Sequence, residues 1–362
     1  MMALDKVEEL FANGKPGEAR AELAALIERV AASPRARDEA IADICPRIAC
    51  QDPRVGAYLA LAGGALVEHG APAGELARAI AVPLRRALDD AHRLLALAGE
   101  LADEEGDDLV TEVAGKSLSR ATVDALARRD RAMVRAWFSL ADWYRPAVAC
   151  WSRDTLALRA IQRDAGFRGA LAALGRQTET SHWLSLLLET VFDARFVVLV
   201  PELRQAWSFV GDGVVDMGQL SVLLSEPLAG PLAQIGASGR ASDDMLAVMR
   251  GDGPQQQRGA TYGSSFHIYP RQALREGMPR DDVHTWSAPG GTGTHSLPAD
   301  FLPGTLDEVD GARPLVLVGP NAPGTRFVRV IPAVRTFRLL AARVSALEPV
   351  DFARWLTACE AG

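Results

Sequence analysis

Cysteine and lysine are both scarce in this chain of 362 residues. The four cysteines, at positions 45, 50, 150 and 359, form no CxxC pair, so the usual zinc-finger and thioredoxin-like sites are excluded, as is a dense disulfide scaffold. We therefore expect the thiols to be reduced. Only 3 lysines accompany 36 arginines, the arginines form no long basic run, and the net charge is -7 at pH 7. Such a chain repels a polyanion, and nucleic acid is not expected as a partner.

Long apolar runs are also missing from the sequence. No run reaches the roughly 18 to 20 residues that would cross a bilayer. The first residues, MMALDKVEELF, lack the apolar segment of a signal peptide. These two observations predict a cytoplasmic protein that does not associate with membranes.

No complete catalytic signature occurs in the chain. The HExxH pattern of many zinc proteases and the GxSxG turn of serine hydrolases are both absent. The stretch GPNAPGT, at positions 319–325, has the spacing of a phosphate-binding loop, but it lacks the lysine and precedes a strand-like segment. We interpret it as a loop between two strands, and no cofactor is favoured by the sequence.

Residues 1–176 carry apolar side chains at helical spacing. A clear example is the stripe formed by Ala19, Leu23, Leu26, Ile27 and Val30, behind Pro16 in the first turn. Breaks at glycine and proline separate similar stripes, which is typical of an α-solenoid, but no 34-residue period recurs. This pattern predicts an irregular helical array, with a bend or a break at Pro83.

Aromatic side chains are concentrated between positions 137 and 151. This density indicates either a ligand groove or the thick part of a helical core, and we favour the core. The residues concerned are Trp137, Phe138, Trp143, Tyr144 and Trp151.

Residues 177–362 mix strand-like and helical patterns. RFVVLVPE and QAWSFVG predict a hairpin, and SSFHIYP, PLVLVG and RFVRVIP predict further strands. Because strands and helices do not alternate regularly, a mostly antiparallel or mixed sheet is favoured over a doubly wound parallel one. The whole chain is thus predicted to be mainly α, with a helical domain at 1–176 followed by an α+β domain at 177–362.

The run VLVPELRQAWSFVGDGVVDMGQLSVLL, followed later by SLPADF and PLVLVGP, resembles a module of uncharacterised actinobacterial proteins. The resemblance covers about the last half of the chain. It supports the division into two domains, and it implies no activity and no residue roles.

Three of the six histidines lie in one stretch rich in glycine and proline: His267, His284 and His295. Zinc accepts three imidazoles and a water, and the bound water then ionises near neutral pH. Asp281 or Asp282 would serve as a further ligand or a base. The competing interpretation is that His267 faces outward from a strand and that the acidic neighbours of His284 simply favour its protonated form.

Three classes of function follow from these patterns. Protein binding is the first, with the helical array as an interaction surface and the second domain as a further recognition surface, as in an adaptor. A metal-assisted hydrolase at the three histidines is the alternative. The third is a small-molecule pocket between the domains, lined by Trp183, Trp207 or Trp286, and the polar segment 249–265 could act as a lid over the histidine region.

Overall fold

A computed structural model describes the greater part of the chain. The described residues are 2–49, 52–105, 120–175, 181–215, 217–250, 262–264, 266–271, 285–286, 295–296, 303–318, 325–327 and 345–361. Contacts between Cα atoms divide the chain into two units, Met1–Leu188 and Glu189–Gly362.

The first unit consists of helices wherever it is described. Proline occupies the first turn of three of them, where its missing amide hydrogen costs nothing. Aspartate also caps three helices, one of which begins with proline. The side chains of Asp52, Asp130 and Asp154 accept hydrogen bonds from amides of the first turn. The helices are α1 (Met2–Ala12), α2 (Pro16–Ala31), α3 (Pro34–Ile48), α4 (Pro53–Glu68), α5 (Gly74–Glu105), α6 (Arg120–Arg129), α7 (Arg131–Trp151), α8 (Thr155–Arg163), α9 (Ala165–Gly175) and α10 (Ser181–Leu188).

Helix α7 packs against both α4 and α5 in the core of this unit. It approaches α4 closely because α4 carries glycine at the crossing. A Cβ at Gly64 would lie 2.9 Å from Pro146, and one at Gly56 would lie 3.2 Å from the ring of Trp143. On the side of α5, the indole Nε1 of Trp151 donates a hydrogen bond to the carbonyl oxygen of Ala77 at 3.1 Å.

The aromatic cluster of α7 is largely core, as the sequence predicted. Trp143, Tyr144 and Trp151 are almost completely buried, and Trp137 is buried as well. Phe138 is the exception, because it is 53% exposed. Pro83 does not divide α5, which continues through the proline as one helix from Gly74 to Glu105; a break there is therefore wrong, and the expected bend stays a prediction.

The second unit is built on a mixed five-stranded sheet. Strand β1 (Ala194–Val200) and strand β2 (Gln205–Gly211) form an antiparallel hairpin, in which Phe196 pairs with Phe209. The sheet order is β10-β2-β1-β8-β5, and β1 pairs in parallel with β8, which confirms the expected mixed sheet. The remaining members are β5 (His267–Pro270), β8 (Arg313–Val318) and β10 (Ser345–Ala346).

Helices cover both faces of this sheet. Successive side chains of β1 alternate between the faces, so Phe196 and Val198 belong to one core cluster and Val197 and Leu199 to another. The first cluster includes leucines of α11 (Met217–Ser225) and α12 (Ala229–Gln234), and the second includes Phe352 and Trp355 of α14 (Pro349–Ala361). A further helix, α13 (Asp243–Arg250), packs against α11.

Two small sheets complete the described part of the second unit. One has the order β3-β4-β9 and the other pairs β6 with β7. The predicted single strand SSFHIYP is therefore divided: Ser264 ends β4, and His267 begins β5 of the larger sheet. The bounds are β3 (Gly239–Ala241), β4 (Tyr262–Ser264), β6 (Thr285–Trp286), β7 (His295–Ser296) and β9 (Thr325–Phe327).

The predicted fold class is confirmed, since a helical array precedes an α+β unit with a mixed sheet. Helix α10, which the sequence division at 176 assigns to the second domain, packs against α7, α8 and α9 of the first unit. The contact-based division accordingly falls between Leu188 and Glu189.

Candidate functional site

The three candidate zinc ligands fall on different parts of the second unit. His267 opens β5 and pairs with Val318 of β8, whereas His295 lies in β7 opposite Trp286 of β6. The two strands belong to different sheets. His284, together with Asp281 and Asp282, lies outside the described residues.

A zinc site therefore stays a prediction. Among the residues that the structure describes, no group of three or more histidine, cysteine, aspartate or glutamate side chains is placed to hold a metal ion. Three of the five residues named for the cluster, His284, Asp281 and Asp282, are not among those residues. Most of the proposed lid, residues 251–261, also lies outside them.

The three candidate tryptophans lie in different environments. Trp183 is half-buried on α10, in the first unit. Trp207 is buried on β2 and packs in the core cluster that includes Phe209. Trp286 pairs through its backbone with His295. A ligand pocket lined by these residues stays a prediction.

The most unusual exposed feature of the described first unit is a stripe along helix α7. Its members follow one another at steps of four, three, four and three positions, which places them on one side of the helix. Phe138 is the central member, and charged side chains occupy the other positions. We call this set the Phe138 stripe: Arg131, Arg135, Phe138, Asp142 and Arg145.

The N-terminal end of the stripe is held in place by capping and an ion pair. Asp130 accepts hydrogen bonds from the amides of Ala132 and Met133 at 2.8 and 3.0 Å, which fixes the first turn of α7. Arg135 Nη1 lies 3.0 Å from Asp52 Oδ2, the residue that caps α4. The stripe is thus presented on a helix whose start is anchored to its neighbour.

Further along the stripe, Asp142 lies in an arginine-rich setting. Burial raises the pKa of its carboxyl group, while the charges of Arg20 and Arg145 act in the opposite direction. Arg20 also lies over the ring of Tyr58, with 4.5 Å from its guanidinium carbon to the ring centroid. Tyr58 in turn stacks on Phe11 at 5.0 Å. Aromatic rings and guanidinium groups therefore adjoin the stripe.

Positive charge predominates at this surface. The stripe and Arg20 contribute four arginines, against Asp142 and the neighbouring Asp52 and Asp130. Within the described part of the chain, neither Arg131 nor Arg145 is joined to a carboxylate by an ion pair. The surface thus has the opposite sign to the whole chain, whose net charge is -7.

Two further apolar side chains are exposed on the first unit. Val82 on α5 is 57% exposed, and Leu156 on α8 is 82% exposed. Helix α8 packs beside α5, and Arg85 of α5 contacts Asp164 at 3.5 Å just after α8 ends. Apolar side chains are therefore presented to solvent on three adjoining helices.

Sequence reasoning missed Phe138 as a surface residue because it was grouped with its aromatic neighbours. The spacing of the polar residues along α7 indicates which side of the helix is exposed. Arginine or aspartate recurs at 131, 135, 142 and 145, and position 138 falls on the same line. Plotting the polar residues as well as the apolar ones would have placed Phe138 among them.

The cysteines and the helices agree with the absence of a redox or membrane motif. Cys45, Cys150 and Cys359 are buried and form no disulfide, and burial raises the pKa of the Cys45 thiol to about 12. Cys150 is shifted in the same direction, also by burial, so its pKa too is raised. Among the described residues, every helix is too short or too polar to span a bilayer.

The described residues define a two-unit protein, with a helical unit followed by a mixed sheet between helices. No protein-family model, no curated protein and no solved structure matches the chain. The resemblance to uncharacterised actinobacterial proteins therefore stays a prediction, and function has to be argued from the residues themselves.

Proposed function

We propose that this protein is an adaptor that binds a protein partner through its helical unit. The observation that carries the proposal is the Phe138 stripe, in which an exposed aromatic side chain is surrounded by arginines. Aromatic residues and arginine are the types most enriched in the energetically important parts of protein interfaces. Val82 and Leu156 extend the exposed apolar surface of the same unit.

A helical array is well suited to this task. Its helices bury one face against their neighbours and leave the other available along an extended surface. The buried face here is dense, with Trp143, Tyr144 and Trp151 almost completely enclosed. The exposed face can therefore vary in sequence without loss of the core, and an aromatic side chain there is not required for folding.

The second unit supplies the other recognition surface of the proposed adaptor. Val210 on β2 is 50% exposed and Val350 at the start of α14 is 75% exposed. Val210 lies on the same face of β2 as Ala206, which packs under α14. A partner of this unit would contact that end of the sheet.

We also propose a cytoplasmic location and no nucleic-acid partner. Three buried cysteines that form no disulfide suit a reducing compartment, in which thiols persist. The net charge of -7 opposes binding to a polyanion.

The proposal is tested by comparing two sets of surface variants of the full chain. The first carries Val82→Ser, Phe138→Ser and Leu156→Ser on the helical unit. The second set, which is the control for a partner of the helical unit, carries Val210→Ser and Val350→Ser and should weaken only a partner of the second unit. Proteins captured from the source cells are quantified by mass spectrometry, and each captured protein is purified and its affinity measured by calorimetry. We expect a partner that binds the wild type and the control, and binds the first variant at least about tenfold more weakly.

Two results would contradict the proposal. One is the absence of any purified partner with measurable affinity for the wild type. The other is a partner whose affinity is the same for the wild type and the helical-unit variant. Circular dichroism of both variants confirms that a loss of binding does not come from unfolding.

A further inference from the structure

The Phe138 stripe lies along one side of α7 with the spacing of heptad positions a and d, but four of its five positions are charged, where the seam of a coiled coil is apolar. Alternating steps of four and three positions define the a and d sites of a heptad, and the stripe follows this rule from Arg131 to Arg145. These two residues are four turns apart, a distance of about 21 Å at 1.5 Å per residue. A straight seam of this length is a suitable surface for a second helix.

The side chains on this seam determine what kind of helix would fit. Three of the five are arginines, and a fourth arginine, Arg20, lies beside Tyr58 and interacts with Asp142. Arg135 is paired with Asp52, but a basic or neutral helix would supply no carboxylate to Arg131 or Arg145. An acidic helix would supply carboxylates to the arginines, and one apolar side chain on it would cover Phe138.

We propose that the Phe138 stripe, with Arg20 and Tyr58, docks an acidic amphipathic helix of a protein partner. This inference rests on the proposed function and specifies its site and the chemistry of the partner. Carboxylates of the partner helix face Arg131, Arg145 and Arg20, and an apolar side chain packs on the ring of Phe138. Asp142 is the one acidic member of the stripe, and it weakens the attraction.

The effect expected at Asp142 distinguishes this inference from a surface on which every substitution weakens binding. Truncating Phe138 removes apolar contact, and neutralising Arg145 removes a favourable charge, so both changes weaken binding. Neutralising Asp142 removes an unfavourable charge, so that change strengthens binding. A surface with no specific complementarity to an acidic helix would not produce effects of opposite sign.

The experiment uses the full chain and a synthetic peptide of about three heptads with glutamate at the seam positions and one central leucine. Binding is measured by fluorescence anisotropy of the labelled peptide. Phe138→Ala is expected to weaken binding about tenfold. Arg145→Gln is expected to weaken it about two- to threefold, and Asp142→Asn to strengthen it about twofold, as for single exposed charge pairs.

Control experiments test whether the peptide binds at the stripe and whether opposite charge determines the binding. Arg35→Gln, which removes an exposed arginine of α3 outside the stripe, should leave the affinity unchanged. A peptide with lysine in place of every glutamate should not bind. Raising the salt concentration should weaken the wild-type complex, because the charges concerned are exposed. Thermal unfolding of each variant confirms that it is folded.

Several outcomes would overturn the inference. They are equal effects of Arg145→Gln and Arg35→Gln, binding of the lysine peptide, and weaker binding by Asp142→Asn. Competition by a duplex oligonucleotide at the same affinity would assign the surface to nucleic acid. Concentration-dependent dimerisation that is lost in Phe138→Ala would assign it to a second copy of this chain. If the peptide fails to bind but the partner capture described above succeeds, the acidic-helix inference is wrong and the proposed function stands.

Discussion

Replacing Gly64 by alanine should destabilise the helical unit, although alanine normally stabilises a helix. A Cβ at this position would lie 2.9 Å from both Cα and Cβ of Pro146 on the facing helix. Ordinary contacts between carbon atoms are about 3.5 to 4.0 Å long, and Pro146 is held by its own backbone and cannot rotate away. Helices α4 and α7 would therefore have to separate.

The expected magnitude follows from two opposing contributions to the free energy of unfolding. Forcing an extra methyl group into a packed crossing costs about 1 to 3 kcal/mol. The better helix propensity of alanine returns about 1 kcal/mol. We expect Gly64→Ala to lower the free energy of unfolding by up to about 2 kcal/mol.

Two other helical glycines are the controls for this experiment. Gly99 has no atom within 4 Å of the Cβ that would be added, so Gly99→Ala should stabilise the protein by about 0.5 to 1 kcal/mol. At Gly63 the new Cβ would meet only the side chain of Leu76, at 2.7 Å from Cδ2, and that side chain can change rotamer. The free energy of unfolding of Gly63→Ala should therefore lie between those of Gly99→Ala and Gly64→Ala.

The free energy of unfolding of all three variants is measured by urea titration with far-UV circular dichroism as the signal, since helices dominate that signal. The order of stability should be Gly99→Ala, then Gly63→Ala, then Gly64→Ala. If Gly64→Ala proves as stable as Gly99→Ala, the close approach of α4 and α7 is wrong, and the position assigned to the Phe138 stripe is wrong with it.

Three further predictions concern single groups. Asp154 accepts a hydrogen bond from the amide of Ala157 at 3.0 Å, so Asp154→Ala should lower the free energy of unfolding by about 1 kcal/mol, whereas Asp154→Asn, which keeps an acceptor, should not. Burial raises the pKa of Asp142 in the folded state, so its contribution to stability is present below the unfolded value of about 3.9 and is lost as the pH rises through the folded value. Asp142→Asn should therefore gain stability relative to the wild type as the pH rises, and a difference that is constant in urea titrations across that range would refute this. The histidine hypothesis predicts near-stoichiometric zinc in untagged protein and its loss after His267, His284 and His295 are all changed to alanine; elemental analysis that finds no metal in the wild type would exclude it.

Local patterns predicted those elements that depend on neighbouring residues. The hairpin segment QAWSFVG corresponds to β2, Gln205–Gly211, because alternating side chains and a short connection define it without reference to the rest of the chain. Proline in the first turn likewise marked the start of α2 at Pro16, whereas the caps of Asp52, Asp130 and Asp154 were not predicted. Pro83 was different, because packing of α5 along the unit outweighs the loss of one backbone hydrogen bond.

Contacts between distant residues were beyond the sequence patterns. Nothing in PLVLVG indicated that β8 would pair in parallel with β1 and lie between β1 and β5 in the sheet. The same applies to the candidate surface. The exposure of Phe138 depends on which sides of α7 are covered by α4 and α5, and the proximity of Arg20 to Asp142 depends on how α2 packs.

The parallel pairing of β1 with β8 has a consequence for the synthesis of the protein. Phe196 lies opposite Arg313, so a central part of the sheet cannot form until more than a hundred additional residues have been translated. The helical unit, whose partners are close in the sequence, can consolidate on the ribosome during that interval. In the meantime the β1–β2 hairpin exposes an unpaired edge of valine, leucine and phenylalanine, so a nascent chain paused before residue 313 should recruit chaperones far more strongly than one paused at residue 188.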